Sequence, residues 1–256
     1  SIIKDKSSKL AFPYYLLIAD VTVLTEQEKN IFSPYYLKVE DGWARADSGF
    51  VITPGAEVPA PMFRKEFETE KNKKIEDCRL YISAMGIYDV YLNDIDVNEF
   101  YGAPGQSVYS KEVYYRTYDI TEYIEEGKNA IGVLLGHGRY DRAKGQWGDE
   151  LGLYAQIVIT YEDGTKQEIG TDETWLVCNN GPIRSDDLYN GEYYDANYEW
   201  PGWTSSGFAV DKNGEWRAAE YFMGAEGVAV KAAPDNGVKC LEIVTPISVT
   251  EPVPGV

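Results

Sequence analysis

Histidine is nearly absent from this sequence, with His137 the only one in 256 residues. A metal centre built on several imidazoles is therefore excluded, and no G-x-S-x-G elbow is present to make His137 the base of a serine nucleophile. Cysteine is scarce too: Cys78, Cys178 and Cys240 are odd in number and widely spaced. They fit neither a disulfide framework nor a zinc knuckle, and read as buried thiols in a reducing compartment, the cytoplasm. No apolar run approaches the roughly 20 residues of a membrane-spanning helix. The start, "SIIKDKSSKLAFPYYLLIAD", has a short apolar patch, but it contains a proline and ends on Asp20, so no cleavable signal is read there. Positive charge is also short. Against 42 acidic residues stand 24 Lys and Arg, a net charge of −18, which makes nucleic acid and anionic membranes poor partners. The charge is diffuse, with no acidic tail or block, and speaks for solubility more than for function.

Helical periodicity is scarce, and strand patterns take its place. "CRLYISAMGIYDVYLNDIDV" (78–97) holds two β-rich runs joined at Met85-Gly86. "VYYRTYDIT" (113–121) alternates, with Tyr114, Arg116 and Tyr118 on one face and Tyr115 and Thr117 on the other. "NAIGVLLG" (129–136) is almost wholly apolar, as a strand buried on both faces should be. "LYAQIVITYEDGTKQEIGTD" (153–172) is a hairpin whose Asp163-Gly164 supplies the positive φ of a tight turn. "TWLVCNNGPI" and "KCLEIVTPISV" add strands, and "DITEYIEEGKN" (119–129) holds one helical turn ended by Gly127. Apolar residues make up 44% of the chain, enough for a substantial core, in which Phe63, Phe67, Trp175 and Trp216 are expected.

Many short strands at this spacing predict an all-β fold, an antiparallel jelly-roll sandwich. The Pro/Gly-rich "TPGAEVPAPMF" (53–63) is its entry. Residues 1–60 read as an N-terminal extension of strands and loops that packs on the sandwich, 61–250 as the sandwich, and 251–256, "EPVPGV", as a linker. No internal repeat is visible.

The chain has 21 tyrosines and 6 tryptophans, many of them in loops. A sugar's C–H face stacks on such rings while its hydroxyls need fixed donors and acceptors. The loop in "LLGHGRYDRAKGQWGDELGLYAQIVITY" (134–161) offers both in Arg139, Tyr140, Trp147, Asp149 and Glu150. "DLYNGEYYDA" does so with Tyr189, Asn190, Glu192 and Tyr193. In a jelly roll such loops could gather at one end of the sandwich. Aromatic loops suit packing on a neighbouring domain equally well, and the residues alone leave both readings open. Carboxylate pairs such as Asp186/Asp187, Asp149/Glu150 and Glu192/Asp195 are too common here to single out a catalytic one. No catalytic residue is assigned. His137, between two glycines, reads as a surface-loop histidine.

One pattern spans more than half the chain. "MFRKEFE", "RLYISAMGIYDVYLNDIDV", "APGQSVYSKEVYYRTYDITEYIEEGKNAIGVLLGHGRY", "GLYAQIVITYEDGTKQEIGTDETW", "GPIRSDDLYNGEYYDANYE" and "PGWTSSGF" follow in that order. Together they resemble the N-terminal β-sandwich region of bacterial α-L-rhamnosidases of glycoside hydrolase family 78. The "LNDIDV" piece alone is shared by many galactose-binding-like jelly rolls. The resemblance implies a multi-domain glycosidase with its catalytic acids in an (α/α)-barrel, and no run of amphipathic helical hairpins is present here. It therefore implies a non-catalytic accessory portion whose partners are a downstream catalytic domain and, as a further expectation, a rhamnosyl-containing glycan. Some modules of the family resemble calcium-dependent rhamnose binders, with an acidic-plus-amide pair in the loop before the "Y-x-x-x-V-x-Y" strand. Here that loop, "APGQSVYS" (103–110), carries Gly105-Gln106, which removes the main charge for an ion; no cofactor is expected and calcium is disfavoured. Gln106 and Tyr109 remain sugar contacts in this reading. A free-standing lectin-like module and a purely structural packing domain are the alternatives.

Overall fold

The computed structural model of the chain describes residues 16–17, 36–39, 42–45, 59–140, 151–187, 191–210, 215–221 and 227–248. Three short strands, β1 (Leu16–Leu17), β2 (Tyr36–Val39) and β3 (Gly42–Arg45), form a small sheet of their own in the order β1-β3-β2. The sandwich is built from β4 (Met62–Glu68), β5 (Ile75–Met85), β6 (Ile87–Leu92), β7 (Ile95–Asp96), β8 (Glu112–Asp119) and β9 (Lys128–Gly136). It continues with β10 (Gly152–Tyr161), β11 (Lys166–Gly170), β12 (Leu176–Cys178), β15 (Trp216–Ala218) and β16 (Ala229–Ala232), while β13 (Ile183–Asp187) and β14 (Gly191–Tyr194) form a separate hairpin. One sheet has the order β11-β10-β5-β8-β16 and the other β15-β12-β4-β9-β6-β7.

Alternation decides which residues meet between the sheets. Cys78, Leu80, Ile82 and Ala84 of β5 face inward, and register places Ile157 of β10 beside Leu80 and Ala155 beside Ile82. From the opposing sheet come Val90, Leu92, Ile131, Val133 and Leu135, all at 0–1% exposure. Each such aliphatic contributes about 1.5–3 kcal/mol by leaving water. β9 is buried along most of its length on both faces, as its unbroken apolar run predicts. Arg116 and Tyr118 share the inward face of β8, as alternation requires. Arg116 is satisfied there: its guanidinium donates to the carbonyls of Pro104 and Asp235 and to the Asp235 carboxylate. The Asp163-Gly164 turn closes the β10–β11 hairpin with Gly164 at φ 80°. The helical turn is a 3-10 turn, Thr121–Tyr123, with Gly127 at φ 92° beyond it.

The all-β sandwich of antiparallel sheets is as the sequence predicts, with β16 added parallel to β8 as an edge strand after a long return. The structure corrects two expectations. "KCLEIVTPISV" is not a strand of this sandwich: Val238 makes a single bridge to Tyr101, and 239–248 join no strand among the described residues. Cys240 lies on that run and is exposed, whereas Cys78 and Cys178 are buried thiols. Phe67, Trp175 and Trp216 are core residues, and Phe63 packs against the core half-buried.

Candidate functional site

The end of the sandwich where β5 turns into β6 collects the loops of interest. Gly86 makes that turn at φ +127°, and a Cβ there would lie 2.5 Å from the carbonyl oxygen of Gly136. Only a glycine permits this approach of two strands. Ile87 in turn fills the space that side chains at Gly136 and Gly138 would need. The two glycines flanking His137 thus let the chain wrap Ile87 and aim the imidazole at the β13–β14 hairpin.

There it meets Asp186. His137 Nδ1 lies 2.8 Å from Asp186 Oδ2, and the His137 backbone N–H donates to Asp186 Oδ1 at 2.7 Å. The side chains are only 12% and 14% exposed. His137 is therefore not a surface-loop histidine, which corrects the sequence reading. Its partner stands 49 residues away, so no local pattern names it, although Asp186 belongs to an acidic pair visible in the sequence.

The same end receives the 103–110 loop. The Tyr88 N–H donates to the Ala103 carbonyl, and the Ser107 hydroxyl to the Glu112 carbonyl, so the loop is tied to β6 and β8. Tyr109 and Tyr140 pack edge to face at 4.8 Å, with Met85 and Val113 completing a small cluster. Exposures of 6% and 4% commit these two rings to packing. Burial, then Tyr140, pushes the Tyr109 phenol above its ordinary value. Gln106 and Arg139 are exposed beside them.

Across the hairpin, register sets Glu192 opposite Asp186 and Tyr193 opposite Ser185. Tyr193, Tyr194 and Tyr198 are 44%, 48% and 38% exposed; Glu192 and Tyr194 share one face of β14, near Glu199, and Tyr193 lies on the other. Arg184, buried beneath, stacks its guanidinium 3.9 Å from the Tyr198 ring centre and donates to Asn180 and the Gly181 carbonyl. Tyr194 donates to Glu199 at 2.6 Å, and Asp195 caps the turn Ala196–Tyr198. Asp89 of β6 joins this group. Although part of it faces solvent, loss of water around its carboxyl, then the charges of Asp96 and Glu192, raise it above the usual carboxylate range. Burial, then the charges of Asp89 and Asp96, push the Tyr91 phenol up to about 12. Sequence reasoning missed Tyr194, Tyr198 and Asp89 as members of this group. The tyrosine run in "GEYYDANYE" was the available signal.

Of the residues singled out in the sequence, the structure packs Tyr109 against Tyr140, leaves Gln106 and Arg139 exposed, and sets Glu192 opposite Asp186, the partner of His137, and Tyr193 opposite Ser185. Trp147, Asp149, Glu150, Tyr189 and Asn190 lie outside the described residues. Among the described residues no group of three or more His, Cys, Asp or Glu gathers as metal ligands. Beside the Met85 cluster opens a cleft of about 400 Å³ with mostly apolar walls, among them Val113, Leu153 and Trp175. The Ser83 hydroxyl on its wall has no hydrogen-bond partner among the described residues. Such a cleft suits an aliphatic ligand face better than a charged one.

Two opposed β-sheets with a hairpin and loops at their edge define a β-sandwich domain. Residues 73–242 match the α-L-rhamnosidase N-terminal domain, and the chain belongs to that family. The α-L-rhamnosidase of Streptomyces avermitilis is 34% identical over 265 residues, covering 92% of this chain and 25% of that protein. One from Formosa agariphila is 39% identical over 165 residues, 62% of this chain and 17% of its own length. Among solved structures, the S. avermitilis α-L-rhamnosidase complexed with L-rhamnose superposes with a TM-score of 0.67 at 33% identity, covering 86% of this chain and 22% of that one. The Aspergillus terreus α-L-rhamnosidase gives 0.57 at 32% identity, with 75% and 25% covered. The chain spans 17–25% of the length of the relatives it matches.

Proposed function

We propose that this chain is a non-catalytic module of an α-L-rhamnosidase, supporting a catalytic domain elsewhere in the polypeptide and holding rhamnosyl-containing glycans at its loop end. The observation that carries the first part is the match itself: a β-sandwich family domain occupying only 17–25% of multi-domain rhamnosidases. The second part is supported by the half-exposed tyrosines of the hairpin, the carboxylates beside them and the exposed amide of Gln106. Rings take the C–H face of a deoxysugar and the polar groups take its hydroxyls.

Purified chain assayed with an aryl α-L-rhamnoside should release no aglycone above the buffer rate; turnover that follows the protein through repurification would end the non-catalytic reading. Isothermal titration with L-rhamnose at millimolar concentrations should give heat of binding, unchanged by chelator because Gly105-Gln106 lacks a carboxylate for calcium. No heat with or without calcium would remove the glycan part and leave the packing role.

A further inference from the structure

The chain leaves this sandwich along a run that is anchored up to Lys239 and bare after it. Asp235 is held by buried Arg116 through both its carboxylate and its carbonyl. Gly237 lies against the Phe100 ring so closely that a Cβ would fall 2.4 Å from Cδ1. The Tyr101 N–H donates to the Val238 carbonyl at 2.8 Å, and Lys239 stands over the Phe100 ring while pairing with Glu99. Past that point the character changes. Leu241, Ile243, Val244 and Ile247 are 95%, 85%, 78% and 104% exposed, and 241–248 pair with no strand among the described residues.

This run is written as a strand. At period two, Leu241, Ile243 and Ile247 share one face with Thr245, while Glu242, Val244, Pro246 and Ser248 fall on the other. Polar linkers carry no such stripe, and contiguous exposed aliphatics mark a surface that another body covers. The match to the family domain stops at residue 242, where the stripe begins, and the stretch matched makes up only 17–25% of the relatives' length. We propose that residues 241–248 are an outgoing strand that adds to the edge of a β-sheet in the next module of the same polypeptide, with Leu241, Ile243 and Ile247 buried in that module. Backbone pairing supplies the affinity and the aliphatic face the register. The anchors at Asp235, Val238 and Lys239 then fix where that module sits against the sandwich. The proposal rests on the reading that this domain is carried in a longer polypeptide, and names which segment makes the junction.

Hydrogen exchange of this chain and of the polypeptide extended through its reading frame tests it. In the 256-residue chain the amides of 241–248 should exchange at unprotected rates at every protein concentration. In the extended polypeptide they should slow by at least about 100-fold, and Cys240 should lose its reactivity with maleimide. Ile243→Asp should leave the melting temperature of the short chain unchanged and lower that of the extended one. Absence of protection in the extended polypeptide overturns the proposal, as does a reading frame that stops at Val256. Protection in the short chain also overturns it: if it grows with concentration the occupant is a second copy, and if it is constant the segment folds on its own domain. Catalysis is not read in this experiment, so a failure of the rhamnosidase assignment and a failure of the junction are told apart.

Discussion

His137 is fastened to Asp186 twice, through its ring Nδ1 and through its own backbone N–H, by the two oxygens of one carboxylate. The pair is largely buried and joins the β9–β10 connection to the β13–β14 hairpin. Two substitutions at this joint should differ in a fixed order. Asp186→Ala strands both donors and should cost about 2–3 kcal/mol, whereas His137→Ala removes one bond and should cost about 1–2 kcal/mol. Asp186→Asn keeps an acceptor for the backbone N–H and should fall below Asp186→Ala. Urea midpoints of the three variants check the order; equal costs for the two alanine variants would mean that the backbone bond contributes nothing.

Gly86 and Gly127 both adopt positive φ, at +127° and +92°, but only Gly86 is crowded. A Cβ at Gly127 meets nothing within 4 Å, while one at Gly86 would meet the Gly136 carbonyl and Leu151. Gly127→Ala should therefore lose only the backbone preference, about 1 kcal/mol, and Gly86→Ala should lose that plus the separation of β5–β6 from β9, about 3 kcal/mol or more. Thermal melts of both variants decide it, with near-equal losses contradicting the steric argument.

What could be read from the sequence and what could not divide along contact range. The Asp163-Gly164 hairpin, the Met85-Gly86 break and the doubly buried β9 are each specified by neighbours within a few residues, so turn chemistry and period sufficed. β16 docks parallel to β8 after more than a hundred residues, and nothing in "VAVKA" announces its partner. "KCLEIVTPISV" has a correct strand period, but period does not say in whose sheet the strand lies. At the site, aromatic composition located the two loops, yet could not show that Tyr109 and Tyr140 are consumed by packing on each other while Tyr193 stays half exposed. His137 was misjudged for the same reason: its carboxylate comes from a distant hairpin.

Asp235 gives the fold an acid-sensitive latch. The hydrogen bond from Arg116, then the Gly237 N–H, hold its carboxyl below the usual carboxylate range. A group whose pKa is depressed in the folded state adds stability above its unfolded value near 3.8, and that stability is lost as pH falls through the lower folded value. Asp235→Asn should thus be less stable than the parent at neutral pH, with the gap closing below about pH 4. Urea unfolding at several pH values between neutrality and acid reads the gap. A difference that stays constant with pH would assign the loss to geometry rather than charge.

Tyr193 and Tyr109 separate binding from packing at the loop end. Tyr193 is 44% exposed on β14, opposite Ser185, whereas Tyr109 is 6% exposed and wedged against Tyr140, Met85 and Val113. Tyr193→Ala removes a ring that little else rests on, so its stability should stay within about 0.5 kcal/mol of the parent. If the hairpin holds the sugar's C–H face, the same change should weaken L-rhamnose binding by about 3- to 10-fold, the loss of one stacked ring. Tyr109→Ala opens a cavity in a buried cluster and should cost about 3–5 kcal/mol. Titration calorimetry and melting of both variants form the test. Unchanged rhamnose affinity in Tyr193→Ala would move the glycan away from the hairpin and toward the Gln106 loop, where an exposed amide is the remaining polar contact.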